Sequence, residues 1–257
     1  MAVIEVAYQG GVALVTLNRP DANNALNRDL SEGIIETFSA LATDDGVKAI
    51  VLTGAGRCFC AGVDLKALTE EPELLSTGMG LGPESPLVVA LEKCPQPIIG
   101  AVNGAAVTGG FELALACDYL FASERARFAD THARVGILPG WGLSQKLSRI
   151  IGINRAREMS LTGNFIDAHR AEAWGLVNRI CEPEALVTEA MASAGQIADS
   201  DSKAVAALKS LMNDGSRVAL GDALVMEGER GNAFAASVDY SQMSSRLAAL
   251  RQRAGKQ

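Results

Sequence analysis

Apolar residues fall along this chain in two rhythms. Residues 3–8 and 12–17 are rich in β-branched and apolar types, and Gln9-Gly10-Gly11 between them is a tight-turn signal, which predicts a hairpin. From Asn27 the rhythm changes. Leu30, Ile34, Phe38 and Leu41 recur at helical spacing behind a residue suited to capping a helix. Apolar-rich runs at 47–52, 98–102 and 119–122, the first broken only by Lys48, read as buried strands, and a helix-like run starts at Gly110. Strands alternating with helices predict an α/β core with mainly parallel strands. Residues 66–86, with Glu70, Glu71, Glu73, Glu84 and several glycines and prolines, read as a surface loop. Beyond about residue 183 the strand patterns stop, and 184–198, 202–212, 217–233 and 237–253 read as helices.

The 257 residues are 48% hydrophobic, which suits a packed globular chain and argues against disorder. A net charge of −7 argues against a general nucleic-acid or membrane-binding surface, so neither partner is expected. The first residues lack the basic-then-apolar layout of a signal peptide, and no apolar run reaches the ~18 residues that span a bilayer. A cytoplasmic location is expected. The five cysteines, Cys58, Cys60, Cys94, Cys117 and Cys181, are odd in number and irregularly spaced, which disfavours a disulfide framework. With two histidines and no ligand spacing, no metal site is expected.

Chemistry concentrates in two strand-to-turn segments. In the first, the strand at 98–102 runs into Asn103-Gly104-Ala105-Ala106-Val107-Thr108-Gly109-Gly110-Phe111-Glu112. A glycine turn at a helix start leaves backbone N–H groups unpaired where partial positive charge gathers, a place that can hold an oxyanion. Glu112 follows within the first turns. It is either an acid/base beside that pocket or simply an acidic residue offsetting the helix dipole. In the second, the strand at 47–52 leads through a turn to Cys58-Phe59-Cys60-Ala61-Gly62-Val63-Asp64-Leu65.

These segments resemble the crotonase family, the enoyl-CoA hydratase/isomerase superfamily. Its F-x-A-G-x-D-L element is matched by residues 59–65, its A-x-N-G…G-G-x-x-E-L-A…C-D element by 101–118, and its I-P-G-x-G loop by Leu138-Pro139-Gly140-Trp141-Gly142. Leu161-Thr162-Gly163 with Ala168, Ala171 and Gly175-Leu176-Val177 matches a further run, and Leu17-Asn18-Arg19-Pro20 and Asn24-Ala25-Leu26-Asn27 also fit. The resemblance spans about residues 3–250. It implies an α/β fold, a crotonase-like spiral of ββα repeats over 1–182 carrying an acyl-CoA site, with a C-terminal helical trimerisation region over 183–257. A homotrimer or a hexamer of two stacked trimers follows from it.

The resemblance also implies an acyl-CoA thioester as substrate, CoA being part of the substrate and no cofactor being required. Val63 and Gly109 match the two backbone oxyanion donors. Ala25, Ala61, Gly62, Asp64, Leu65, Gly110, Pro139 and Gly140 match substrate-binding positions, although Asp64 reads equally as a helix cap. Hydratases of the family use two glutamates. Glu112 matches one, but counting back from Pro139 the second position holds His132. A histidine can carry a proton near neutral pH, so His132 is either a replacement acid/base or a pocket-lining residue. Its neighbours Asp130 and Arg134 read as structural ion-pair partners or solvated side chains, and Trp141 as packing. Arg28, Lys66, Arg246, Arg251, Arg253 and Lys256 are the basic residues available for CoA phosphates. The leading expectation is hydration of a 2-enoyl-CoA to a 3-hydroxyacyl-CoA. The alternatives are another enolate reaction (isomerisation, decarboxylation or thioester hydrolysis) or a non-catalytic acyl-CoA-binding protein.

Overall fold

The computed structural model describes residues 2–74, 79–243, 247 and 251. Its first element is the expected hairpin, β1 (Ile4–Gln9) antiparallel to β2 (Val12–Leu17), with Gly10 and Gly11 at φ +57° and +79°. Two consecutive left-handed residues give the turn that matches strand twist, and glycine takes that conformation without penalty. Asn27 caps α1 (Arg28–Ala42) by accepting from Leu30 N, and Leu30, Ile34, Phe38 and Leu41 are its buried stripe.

The chain then repeats one unit three times, a longer strand, a short strand and helix. β3 (Ala49–Gly54) and β4 (Cys58–Cys60) lead to α2 (Leu65–Glu70) and α3 (Pro86–Glu92). β5 (Ile98–Val102) and β6 (Ala105–Val107) lead to α4 (Gly109–Leu115), and β7 (Tyr119–Ser123) and β8 (Arg127–Ala129) to α5 (His132–Val135). There follow α6 (Leu143–Ile151), α7 (Ile153–Thr162), β9 (Ile166–Asp167), α8 (Ala168–Ala173), β10 (Arg179–Cys181) and α9 (Leu186–Ala198). The first strands of the repeats lie parallel in a six-stranded sheet, β1-β2-β3-β5-β7-β10, and the second strands in a four-stranded sheet, β4-β6-β8-β9. This is the spiral of ββα repeats that the motifs imply.

The apolar-rich runs are explained by burial on both faces of the larger sheet. Alternate residues serve different cores. Ile50, Leu52, Ile98, Val102 and Leu120 join the core that contains α1, α3, α4 and α6. Ala49, Val51, Ile99, Ala101 and Phe121 meet Leu186, Ala190 and Ala194 of α9.

Two compact units divide the chain, Met1–Ala206 and Ala207–Gln257. The helical region read from 183 onward begins with α9, which belongs to the first unit because it covers that sheet face. The second unit holds most of α10 (Ser202–Gly215) and α11 (Leu220–Ser237), neither of which has a buried residue. Of the helix read at 237–253, residues 244–246, 248–250, 252 and 253 lie outside the described residues; Ser237 ends α11, and a short turn of 3-10 helix, Tyr240–Gln242, follows. The segment read as a surface loop at 66–86 is more ordered than its composition suggests. α2 occupies its start, and Leu74, Met79 and Ser85 are buried. Residues 75–78 of that segment are outside the described residues. Among the described residues no helix is long and apolar enough to cross a membrane.

Candidate active site

β4 and β6 lie side by side and parallel, so the turns that follow them arrive together. Ala61 N donates to Asn23 O at 3.1 Å, Leu26 N to Gly62 O at 2.7 Å and Asp64 N to Leu26 O at 2.9 Å. Leu26 and Val63 form an isolated parallel bridge. In such a bridge Leu26 makes both bonds, and the Val63 N–H faces away from it. Gly62, at φ +93°, lies against the other turn: a Cβ there would stand 2.8 Å from Val107 O and 3.4 Å from Gly109 N. Gly110 admits no side chain either, since its Cβ would stand 2.1 Å from Cys60 O. A Cβ on Gly109 would face Trp141 Cζ3 at 3.0 Å, Val63 Cγ2 at 3.6 Å and Leu26 Cδ1 at 3.7 Å. Val63 and Gly109 are therefore neighbours, and among the described residues neither N–H donates to a protein acceptor.

The residue before Gly109 is strained. Thr108 has φ +53° and ψ −116°, a conformation that a β-branched residue adopts at a cost of about 1–3 kcal/mol. It is held by a hydrogen bond between its hydroxyl and that of Thr131, and its backbone N donates to Ala129 O at 3.0 Å. Sequence reasoning did not single out Thr108; the signal was a non-glycine at the turn before a helix start.

On the other side of the turn, three ionisable side chains are out of water: Glu112 is 3% exposed, His132 5% and Asp130 2%. Glu112 Oε1 accepts from Trp141 N at 2.7 Å and Leu143 N at 3.2 Å, which ties α4 to the 138–142 loop. Its Oε2 stands 3.5 Å from His132 Nε2. The opposite ring nitrogen, Nδ1, is 2.6 Å from Asp130 Oδ1, and the same oxygen accepts from His132 N at 3.2 Å. The ring thus lies between two carboxylates. A neutral imidazole can donate to only one of them, whereas imidazolium donates to both. Burial works to lower the His132 pKa, but Asp130 and Glu112 outweigh it and raise it from 6.5 to about 9. Burial likewise works to raise the Asp130 pKa, and hydrogen bonds from His132 and Ser160 bring it below the ordinary value.

The remaining expected positions divide by role. Asp64 caps α2 through Lys66 N and Ala67 N and pairs with Arg19 at 3.1 Å. Arg19 also donates to Ala25 O, which fixes the 23–26 segment against the turn after β4. Leu65 is exposed, Ala25 buried, and Pro139 half-buried. Gly140 O accepts from Gly82 N at 2.8 Å, and Trp141 Nε1 donates to Gly80 O at 2.9 Å, so residues 80–82 are laced to the 138–142 loop. Trp141 was read as packing; its backbone N–H also holds Glu112. Arg28 pairs with Glu71 at 2.5 Å, which raises its pKa, and Lys66 and Arg251 are exposed. Arg246, Arg253 and Lys256 lie outside the described residues. Among the described residues no cluster of three or more His, Cys, Asp or Glu is arranged to hold a metal ion.

The chain matches the family model for enoyl-CoA hydratase/isomerase over residues 7–229. It is 46% identical over 225 residues to a probable peroxisomal enoyl-CoA hydratase of Arabidopsis thaliana, covering 88% of this chain and 83% of that one. It is 38% identical to a short-chain-enoyl-CoA hydratase of Clostridium acetobutylicum, covering 86% and 85%. A crystal structure of an enoyl-CoA hydratase from Bacillus anthracis superposes with a TM-score of 0.88 at 32% identity, covering 98% and 96%.

Proposed function

The chain belongs to the enoyl-CoA hydratase/isomerase family, and from that premise we propose that it adds water across the double bond of a 2-enoyl-CoA to give a 3-hydroxyacyl-CoA. The observation that carries this reading is the buried Glu112 carboxylate facing a second proton-carrying group, His132, beside a turn with unpaired backbone donors. The relatives named above as hydratases support the same reaction.

In this reading the Val63 and Gly109 N–H groups polarise the thioester carbonyl. Backbone donors are fixed before charge develops, and loss of one such donor typically costs about 2.7–4 kcal/mol of transition-state stabilisation. Polarisation makes the β-carbon electrophilic. Water attacks there, its O–H bond breaking as the O–C bond forms, and the π electrons move onto the carbonyl oxygen as an enolate. The enolate collapses as the α-carbon takes a proton. Glu112 and His132 are the two groups that handle these protons. A water touching both would sit about 2.8 Å from Glu112 Oε2 and from His132 Nε2, at the apex over their 3.5 Å separation.

The C-terminal helices support the assembly read from the motifs. α10 and α11 expose Leu208, Met212, Leu220, Leu224 and Val225, apolar side chains that a homotrimer, or a hexamer of two trimers, would cover. Light scattering on the purified chain gives the mass.

The reaction is tested by following the absorbance of the conjugated thioester in crotonyl-CoA and a longer 2-enoyl-CoA, with the product identified by mass. Gain of one water is the expected result. Binding of both esters with no loss of absorbance overturns hydration.

A further inference from the structure

Glu112 and His132 could share the two proton transfers in either order, and the side chain behind His132 decides between them. We propose that Asp130 is a positioning residue for the reaction: its carboxylate pins the His132 ring with Nε2–H toward Glu112 and holds that ring as the proton donor, leaving Glu112 as the base. The inference rests on the hydration reading above.

Three observations support it. The Asp130 Oδ1 contact to Nδ1 is short, at 2.6 Å, while the Glu112 Oε2 contact to Nε2 is looser, at 3.5 Å. The tight partner orients the ring, and the loose one leaves Nε2–H available to donate to a reacting atom. Asp130 is itself fixed, with His132 N on the same oxygen and the Ser160 hydroxyl of α7 as a further partner. Finally, Oε1 of Glu112 is occupied by two backbone donors, so Oε2 is the oxygen that faces His132 and is open to receive a proton. The group placed to receive a proton is Glu112, and the group placed to release one is His132.

The proton count closes. Water gives H⁺ to Glu112 Oε2 as its oxygen bonds to the β-carbon, and His132 Nε2 gives H⁺ to the α-carbon as the enolate collapses. The site is left with a neutral carboxylic acid facing a neutral imidazole. Transfer of one proton across the Oε2 to Nε2 gap restores the starting charges, and the net change is addition of H2O.

The charge of His132 is set from two elements, by Glu112 of α4 and by Asp130, which lies between β8 and α5. Arg134 of α5 turns away to Thr162 O and Asn164, and the charged residues of α7, Arg155, Arg157 and Glu158, are on its exposed face. Raising the folded pKa means that the imidazolium persists at neutral pH and is lost as pH rises through about 9.

The test uses Asp130→Asn, which keeps an acceptor oxygen but removes the charge, and Asp130→Glu, which restores the charge at a changed reach. The chain has two histidines, and His169 is exposed, so the His132 ring can be followed through its imidazole ¹⁵N resonances. In the wild type the ring is expected to stay doubly protonated at pH 8, and in Asp130→Asn to titrate at least one pH unit lower. Hydration by Asp130→Asn should fall on the order of 10²-fold in kcat at pH 8.5, with KM changed less than about threefold and its alkaline limb moved toward neutrality. Asp130→Glu should recover part of the loss. A wild-type His132 that titrates at or below 6.5 overturns the proposal without any variant. So does an alkaline limb that stays in place in a folded Asp130→Asn that still hydrates. If the wild type hydrates nothing, the hydration reading fails, and the resonances still judge the Asp130–His132 couple.

Discussion

On the Val63–Gly109 side of the site the chain contributes backbone and almost no side chain. On the Glu112–His132 side it contributes three buried ionisable groups and a fixed hydrogen-bond geometry. The first half works through the absence of atoms. Gly62 and Gly110 let two turns touch, and the donors are amides whose charge does not change with pH. The second half works through charge held out of water, where an unpaired group is costly and a paired one responds to protons. The glycine half should therefore break by steric change and ignore pH. The charged half should break by isosteric change and follow pH.

The largest expected effect is on the glycine half. Gly110→Val places a side chain into the Cys60 carbonyl, where even a Cβ would stand 2.1 Å away, and backbone cannot step aside as a flexible side chain can. Loss of about 3 kcal/mol or more is expected in urea unfolding, or failure to fold. A variant with near wild-type stability would show that the two turns are not packed as described.

The next effect separates the halves without disturbing shape. In Glu112→Gln the amide oxygen can still accept from Trp141 N and Leu143 N, so the loop contact survives while the base is lost. kcat for hydration should fall about 10²–10⁴-fold, with a modest fall in melting temperature at neutral pH because His132 loses one of its two carboxylate partners. The polarisation of a bound enoyl thioester, read as a red shift of its absorbance, should persist, because the Val63 and Gly109 donors are untouched. Loss of that shift along with turnover would mean that the halves are not independent.

pH sharpens the contrast further. The folded pKa of His132, about 9, lies above its ordinary 6.5, so its contribution to stability is complete below about pH 6.5 and is lost as pH rises through about 9. Asp130 has the opposite sign: its lowered pKa contributes stability above its ordinary range that is lost in acid. Thermal unfolding from pH 6.5 to 9.5 should show a decline in the wild type that is absent in His132→Gln. Parallel curves would place the His132 pKa near its unfolded value.

The smallest effect lies at Thr108, where the halves meet. Thr108→Ala keeps the left-handed backbone and removes the hydroxyl bond to Thr131, with an expected loss of about 1 kcal/mol. Thr108→Gly removes the same bond but also relieves the strain, so it should be the more stable of the two, within about 1 kcal/mol of the wild type. The reverse order would remove strain from the account of this turn.

Much of this was legible in the residues. The alternation of apolar runs and helical spacing gave the α/β class, because burial on both faces of a parallel sheet writes itself as apolar strands; the ββα spiral came from the family resemblance of the ordered motifs and not from periodicity. The glycine half was also legible: a position that must lack a side chain is recorded directly as Gly62 and Gly110. The loop at 66–86 was less so. Its charged and glycine-rich composition hid α2 and the bonds from residues 80–82 to the 138–142 loop, since those depend on partners more than fifty residues away.

The sequence by itself determined which groups are present: Glu112 in the helix after the turn, His132 where a second carboxylate was expected, and Asp130 two residues before it. It did not determine what they do to one another. Asp130 read as an ordinary ion-pair partner, and only the tertiary structure shows it against Nδ1 while Glu112, twenty residues earlier in the chain, meets Nε2. The physical reason is that the charge state of a buried histidine depends on distances of a few ångströms and on the exclusion of water. Both are fixed by how α4, α5 and the 138–142 loop pack, and no local pattern of residues records either.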